Sequence, residues 1–268
     1  MEEKKKGGKR AAPNRRGWLL AALVLAGLGI WSILEWRAHT APGPGITVNE
    51  EALTRREPFY QYDAPGVTAR AGVDVSSYQG VVDWPAVKAA GAGFAMLRVG
   101  FRGYGTGALV EDNAFAQNAA DAANAGLTVG VYFYSQAVTE EEAAEEARFV
   151  VERLRGTNVS GPIAYDLEFY TADEARTDDL TGEQATQNAI AFCDVIRQAG
   201  YEPVVYMNLH WAGSMYGMED LAHLPVWLAS YGPVPALDRG VTLWQYSESG
   251  VVDGIEGPVD LDLWFTEE

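Results

Sequence analysis

Residues 127–168 read LTVGVYFYSQAVTEEEAAEEARFVVERLRGTNVSGPIAYDLE. Two short apolar runs, 127–134 and 162–168, flank a longer charged stretch. The runs are rich in Val, Ile, Tyr and Phe and are bounded by Gly or Pro, which is the chemistry of strands. The stretch between them, 140–155, has helical periodicity: Ala143, Ala147, Val150, Val151 and Leu154 form one apolar stripe. Its ends are marked as well. Thr139 with Glu142 fits a capping box. Glu140, Glu141 and Glu142 open the helix while Arg153 and Arg155 close it, which complements the helix dipole. Gly156 stands where a C-cap belongs. Strand, helix and strand in this order predict a crossover between parallel strands.

Outward from this unit the pattern recurs. Further strand-like runs fall at 72–75, 93–99, 203–207, 225–229, 241–246 and 259–264, which makes eight. Helix-like segments fall at 84–91, 112–125 and 182–199, with a shorter one near 209–218. Thr181 with Gln184 repeats the capping-box pattern, and Gly126 and Gly200 repeat the C-cap. Eight strands alternating with helices predict an α/β fold whose parallel sheet closes into a barrel. The connections shorten after the fifth strand, too much for a full crossover helix each time. The expectation is therefore an irregular TIM-like barrel, eight strands with about five outer helices. No internal repeat is present.

Before this region the texture differs. Residues 1–17 are basic, with Lys4, Lys5, Lys6, Lys9, Arg10, Arg15 and Arg16. The 17 residues Trp18–Leu34 carry no charge, and Trp18, Trp31 and Trp36 lie near the ends of that run. As a helix the run is about 25 Å long, near the lower limit for a bilayer core. The reading is a single transmembrane helix over 18–36, with the basic tail cytoplasmic and everything after Arg37 outside. A cleaved signal peptide is the alternative, but no clear small-x-small site follows in EWRAHTA. Residues 37–70, with Pro42, Gly43, Pro44, Gly45, Pro58 and Pro65, read as an extracytoplasmic stalk before a domain spanning 71–268.

Charge narrows the function. The net charge is −17, and beyond residue 16 the chain holds 13 basic and 35 acidic residues. Nucleic-acid binding needs a basic patch, so that class is disfavoured. Cys193 is the single cysteine; it lies on the apolar face of 182–199 with Ala185, Ala189 and Ile196 and reads as core packing. Three histidines, His39, His210 and His223, without H-x-x-x-H spacing make a zinc site improbable, and no cofactor motif or P-loop is present. Nothing points to an oligomer.

In a barrel, functional groups gather at the C-terminal ends of the strands. Asp74 is near the end of the first, Asp166 and Glu168 end the fourth, and Asp260 lies in the eighth. Asp166 and Glu168 are two apart, so a strand presents both on one face. Like charges so close cannot both ionise cheaply, and one carboxyl must keep its proton to higher pH. That is the requirement for a general acid, and glycosidic cleavage uses one together with a charge-stabilising partner. The same carboxylates would also suit a hard cation such as Mg²⁺ or Ca²⁺.

Seven stretches occur in an order that resembles one family: AGVDVSSYQGVVDW (71–84), FAMLRVG (94–100), VGVYFYS (129–135), IAYDLE (163–168), VWLASY (226–231), LWQYS (243–247) and GPVDLDLW (257–264). They resemble glycoside hydrolase family 25, the Chalaropsis-type lysozymes of bacteria and phages, over about 71–266. The resemblance implies hydrolysis of the β-1,4 bond between N-acetylmuramic acid and N-acetylglucosamine, with peptidoglycan as partner. It implies Glu168 as general acid and Asp166 as the orienting or charge-stabilising carboxylate, with Asp74 and Asp260 as further acidic positions. Tyr78, Tyr132, Tyr134, Tyr231 and Gln245 fall in motifs that line the sugar groove. Arg98, at the end of the second strand, is placed either to position a carboxylate or in a structural pair. Trp84, Trp227 and Trp244 read as core or barrel wall.

Two positions depart from the family pattern. Phe133 stands between Tyr132 and Tyr134 where many members have His, and Asp262 stands where many have Asn. Neither removes a catalytic carboxylate; both bear on subsite detail and pH optimum. Retention through the substrate's 2-acetamido group and inversion by water are both compatible with the D-x-E pair. A non-catalytic peptidoglycan-binding protein on the same fold is the alternative function.

Overall fold

The structure, a computed structural model, describes residues 43–169 and 172–267. A two-stranded antiparallel hairpin comes first, β1 (Leu53–Arg56) and β2 (Phe59–Tyr62). Then follow β3 (Val67–Val75), α1 (Trp84–Ala89), β4 (Phe94–Arg102), β5 (Leu109–Glu111), α2 (Phe115–Asn124) and β6 (Thr128–Ser135). The chain continues through α3 (Glu140–Arg153), β7 (Ile163–Leu167), α4 (Gly182–Gln198), β8 (Pro203–Asn208) and α5 (Leu209–Ser214). It ends with β9 (Val226–Ala229), β10 (Leu243–Gly250) and β11 (Val259–Glu267).

Eight of these strands form a closed barrel in the order β3, β11, β10, β9, β8, β7, β6, β4, with β4 pairing back onto β3; β5 is a short antiparallel appendage on β4. The eight strands and five helices expected from the sequence are all present within a few residues. One feature of the parallel sheet is corrected. β11 runs antiparallel to both of its neighbours, β10 and β3. The cause is length: only residues 251–258 separate β10 from β11, and a parallel connection needs a crossover of about a dozen residues or more. The reversal matters for the site, because it puts the beginning of β11, not its end, at the barrel mouth.

Alternation along the strands builds two cores. Phe94, Met96, Ala164, Val204, Trp227 and Leu243 fill the barrel interior, whereas Ala95, Leu97, Val99, Val205 and Leu228 pack outward under the helices. The interior is narrow. A Cβ placed on Gly72 would lie 2.5 Å from the Phe94 ring and 2.6 Å from the Phe94 carbonyl, so only glycine fits there.

The helix signals act with small differences. Thr139 caps α3 by accepting from Glu142 N at 3.3 Å, but the Glu142 carboxylate reaches Val138 N at 2.9 Å instead of closing the box on Thr139. Thr181 accepts from Gln184 N at 3.2 Å, while the Gln184 side chain turns along α4 to Asn188 at 2.8 Å. Gly126, Gly156 and Gly200 end their helices with φ of 82°, 79° and 88°. Cys193 is fully buried in the outer core, and burial pushes its thiol up and keeps it protonated.

The region read as a stalk differs from that reading where it is described. Ile46 bridges to Val241, Phe59 is buried, Tyr60 stacks against Trp244 at 6.2 Å, and Tyr62 meets Phe265 edge-on at 5.3 Å. Pro58 stands in the turn of a hairpin rather than in a free linker, and the aromatic FYQY strand supplies the buried Phe59 that fastens it. The basic tail over 1–17 and the apolar helix over 18–36 lie outside the described residues. Among the described residues no helix is long and apolar enough to cross a membrane.

Candidate active site

The strand ends open into a cleft of about 230 Å³. Of the ten residues expected at the site, nine line it: Asp74, Tyr78, Arg98, Tyr132, Tyr134, Asp166, Glu168, Gln245 and Asp260. Tyr231 stands on the rim and joins through its hydroxyl, which donates to Gln245 Oε1 at 2.9 Å.

Each side chain gets there by strand parity. Asp74 is the penultimate residue of β3. Asp166 lies on β7, in register with Tyr134 of β6 and Tyr206 of β8. Glu168 follows β7 directly and is half-buried, whereas Asp166 is 6% exposed. Asp260 is the second residue of β11 and pairs directly with Asp74 across the antiparallel ladder.

Gln245 is the hub of one wall. Its Nε2 donates to Asp74 Oδ2 at 2.7 Å and to Asp260 Oδ2 at 3.4 Å. Its Oε1 accepts from the hydroxyls of Tyr206 at 3.3 Å and Tyr231 at 2.9 Å. A buried amide that uses both ends in this way fixes two carboxyls and two phenols at once.

The opposite wall turns on Arg98, which is a structural pair at the cleft. It forms a 2.8 Å salt bridge with the buried Asp112, and its Nη2 donates to Ser77 Oγ at 3.1 Å. Its guanidinium carbon lies 4.9 Å from the centre of the Tyr78 ring. Tyr78 is 85% exposed, so this contact holds an open aromatic face at the rim.

Electrostatics follow from crowding acids in a low-dielectric mouth. Burial raises Asp166 well above the usual carboxylate range, the charge of Glu168 adds to this, and Arg98 opposes it. Burial also raises Glu168, reinforced by Asp260 and opposed by the Tyr206 hydroxyl. Asp260 is pushed up to about 6 by burial, with a hydrogen bond from Asp74 working against the shift. Asp74 is raised by burial and then by Asp262 and Asp260, while the Gln245 bond opposes. The cleft carboxyls therefore all hold their protons to higher pH than ordinary carboxylates do. Among the described residues no group of three or more His, Cys, Asp or Glu is arranged to hold a metal.

Residues 73–255 match the family profile described as glycosyl hydrolases family 25. Lysozyme M1 of Streptomyces globisporus is 30% identical over 286 residues, covering 92% of this chain and 91% of its own length. The chain belongs to family 25. The autolytic lysozyme of Clostridium acetobutylicum is 29% identical over 192 residues, 71% of this chain. The match spans 54% of that lysozyme, about half its length. The fold is shared with the modular autolysin LytC of Streptococcus pneumoniae, solved with a synthetic peptidoglycan ligand: TM-score 0.66 at 23% identity, over 80% of this chain and 52% of LytC.

The family 25 site contains residues that sequence reasoning did not assign to it. Tyr206 and Trp227 line the cleft, Trp227 as its floor. Trp84 and Trp244 are core, as expected, but Trp227 points into the barrel and touches Tyr206 edge-on at 4.9 Å and Tyr132 at 6.0 Å. Parity was the available signal: Tyr206 shares a face with the inward Val204. Ser76 and Gln79 build the 3-10 turn that carries Tyr78, through a full capping box. Gln136, just past β6, is fully buried and donates to the Glu168 carbonyl at 3.1 Å. Phe133, the departure from the family's His, faces outward and packs on Phe149 at 5.7 Å, so it leaves the cleft unaltered. Asp262, the other departure, lies fully buried beneath the cleft.

Proposed function

We propose that this chain is a muramidase that hydrolyses the β-1,4 bond between N-acetylmuramic acid and N-acetylglucosamine in bacterial peptidoglycan. The observation that carries the reading is the Asp166–Glu168 pair: two carboxyls from one strand end, both raised by burial, Asp166 further by Glu168 and Glu168 further by Asp260, in the cleft of a family 25 barrel. Such a pair holds a proton to higher pH than an ordinary carboxylate and can deliver it. Glu168 is the more open of the two and is the group that a leaving glycosidic oxygen reaches. It protonates that oxygen as the bond breaks.

Asp166 is the partner in this reading. Its Oδ1 is buried without a hydrogen-bond partner among the described residues. A buried acceptor in that state suits a donor brought by the ligand, and the 2-acetamido N–H of the substrate is such a donor. Arg98 favours charge on Asp166, which then stabilises the developing positive charge on the sugar. Tyr78, Tyr132, Tyr134 and Tyr231 are proposed as sugar contacts, since tyrosine offers an apolar face and a polar tip to a pyranose ring. Asp74, Asp260 and Gln245 are proposed to hold the far wall of the same subsite.

Localisation is part of the proposal. The uncharged run Trp18–Leu34 behind seven Lys and Arg residues supports a retained single span with the catalytic domain outside. The full chain is then expected in the membrane fraction at its intact mass; a shorter species in the medium would identify a cleaved leader instead.

The deciding experiment digests purified peptidoglycan with the purified chain and with Glu168→Gln, followed by mass spectrometry of the soluble fragments. Fragments with muramic acid at the reducing end are expected from the native chain. A loss of about 10²-fold or more is expected in the variant, the scale of general-acid catalysis. Full activity in Glu168→Gln would remove the assignment. Intact glycan that nevertheless retains the native chain would favour a non-catalytic binding protein.

A further inference from the structure

Asp112 follows β5 directly; it is buried and does not line the cleft. Its place depends on how β4 shares its edge. β3 pairs with β4 only as far as Leu97, and β5 takes up the same strand from Gly100 to Arg102. A Cβ on Gly100 would overlap the Val110 carbonyl, so only glycine lets β5 close in. Beyond β5 the backbone of Asp112 is fixed on both sides. Its N–H donates to the Val99 carbonyl at 2.9 Å, and its carbonyl accepts from Phe115 N at 3.0 Å, at the start of α2. Asp112 thereby stands where β3 leaves β4 and the turn that carries Tyr78 begins.

The carboxylate gathers donors from three segments. Oδ2 accepts from Arg98 Nε at 2.8 Å, lies 2.8 Å from Arg98 Nη2, and accepts from Ser77 N at 3.1 Å. Oδ1 accepts from Ala114 N at 2.9 Å. Arg98 and Ser77 also meet each other, Nη2 donating to Oγ at 3.1 Å. Ser77 opens the 3-10 turn Ser77–Gln79, of which Tyr78 is the middle residue. The turn secures its own backbone, with Ser76 Oγ accepting from Tyr78 N at 3.2 Å. The Tyr78 ring stands out at the rim with the Arg98 guanidinium 4.9 Å from its centre. We infer that Asp112 is the positioning residue for this rim: by pinning Ser77 N and the Arg98 guanidinium to one carboxylate, it holds the Tyr78 ring where a sugar docks. It sets affinity for glycan without touching it. The Arg98 side chain is 11% exposed, and a guanidinium so enclosed keeps its place only beside its counter-charge. The inference rests on Tyr78 as a sugar contact, as proposed above.

Asp112→Asn tests this with the size of the side chain kept: the charge goes, and an amide N–H now faces donors. Binding is measured with the full chain in detergent micelles and soluble, uncross-linked glycan chains from peptidoglycan. Glu168→Gln serves as the parent so that the glycan stays intact. Asp112→Asn, Tyr78→Ala and the two together complete a double-mutant cycle. Each single change is expected to weaken binding about three- to tenfold, the scale of one aromatic contact. The double variant is expected to bind no more weakly than Tyr78→Ala alone, because the ring through which Asp112 acts is already gone. A second arm needs no glycan. With the tyrosine rings labelled with carbon-13, NMR relaxation of the Tyr78 ring, assigned by its absence in Tyr78→Ala, is expected to show a more mobile ring in Asp112→Asn.

Losses that multiply in the double variant overturn the inference, since a residue that merely supports the fold gives that result together with a lower melting temperature. Unchanged binding in Asp112→Asn overturns it too, as does a Tyr78 ring as ordered as in the parent. Should Asp112→Asn fail to fold, Ser77→Pro removes the turn's side of the link, N–H and hydroxyl together. Proline suits the first position of such a turn, and Ser76 before it is already extended, with φ −130° and ψ −170°. The same weakening, again absorbed by Tyr78→Ala, is expected, and unchanged binding counts against the inference. A native chain that neither binds nor cleaves glycan ends the muramidase reading, while the ring relaxation still decides whether Asp112 holds Tyr78.

Discussion

Gln136 shows how much the general-acid candidate depends on a side chain that never meets substrate. Its Nε2 holds the Glu168 carbonyl, its Oε1 accepts from Thr177 Oγ1 at 2.9 Å, and its own carbonyl accepts from Arg176 Nη1 at 3.2 Å. The end of β6 is thereby tied both to the residue that follows β7 and to the loop that precedes α4. Replacing Gln136 by Leu keeps the volume but strands the Glu168 carbonyl and the Thr177 hydroxyl. Each buried polar group left unpaired costs about 1–3 kcal/mol. The expected outcome is a clear drop in urea midpoint together with a fall in kcat larger than the change in KM, because the acid is displaced while the tyrosine walls stay. An unchanged kcat would show that Glu168 is held by its own strand alone.

At the scale of elements, α3 is fastened to the barrel by charge as well as by its apolar stripe. Glu146 sits on that stripe and is fully buried. It accepts from Arg102 Nε of β4 at 2.7 Å and from Ser135 Oγ of β6 at 2.6 Å. Arg102 also reaches Glu145 at 2.8 Å and the carbonyls of Gly107 and Glu142. One helix and two strands thus meet at the single Glu146 carboxylate. Arg102→Met leaves Glu146 buried without its cation, a change that costs about 3–5 kcal/mol in comparable pairs. The double replacement with Glu146→Leu is expected to recover most of that loss, since the penalty belongs to the orphaned charge. Chemical denaturation of both variants measures the difference, and equal losses in the single and double variants would refute this account.

For the whole molecule, the distribution of protons makes a statement about stability. Asp74, Asp166, Glu168, Asp260, Asp262 and Glu146 are all raised, burial being the leading cause in each. The folded chain then holds protons that the unfolded chain has already released. Wherever the folded state binds more protons, stability falls as pH rises. For Asp260 that window runs from 3.8 to about 6, and for Glu146 from 4.5 to about 7. Glu142 is lowered, chiefly by Arg176 against the cost of its burial, and acts in the opposite sense below its ordinary value. The melting temperature is therefore expected to be higher at pH 5 than at pH 8, and a flat or rising profile in thermal melts would contradict it.

These scales differ in what the chain alone could reveal. The periods of strand and helix, the capping residues and the glycine stops are local, so the residues in 127–168 sufficed to read a βαβ unit, and its repetition a barrel. Parity along a strand is local too, which is why Asp74, Asp166 and Glu168 were legible as site carboxyls. What the sequence by itself determined was thus the alternation and the face each side chain takes. Only closure of the barrel decided the rest. It turned β11 antiparallel and set Asp260 against Asp74, 186 positions apart in the chain. It brought Gln245 between them, drew Gln136 to Glu168 and buried Asp262 below. It also recruited residues 46–62, which had read as part of a stalk, to the barrel's outer face. Such contacts join residues remote in sequence, and their energies depend on burial and on partners that no local pattern encodes.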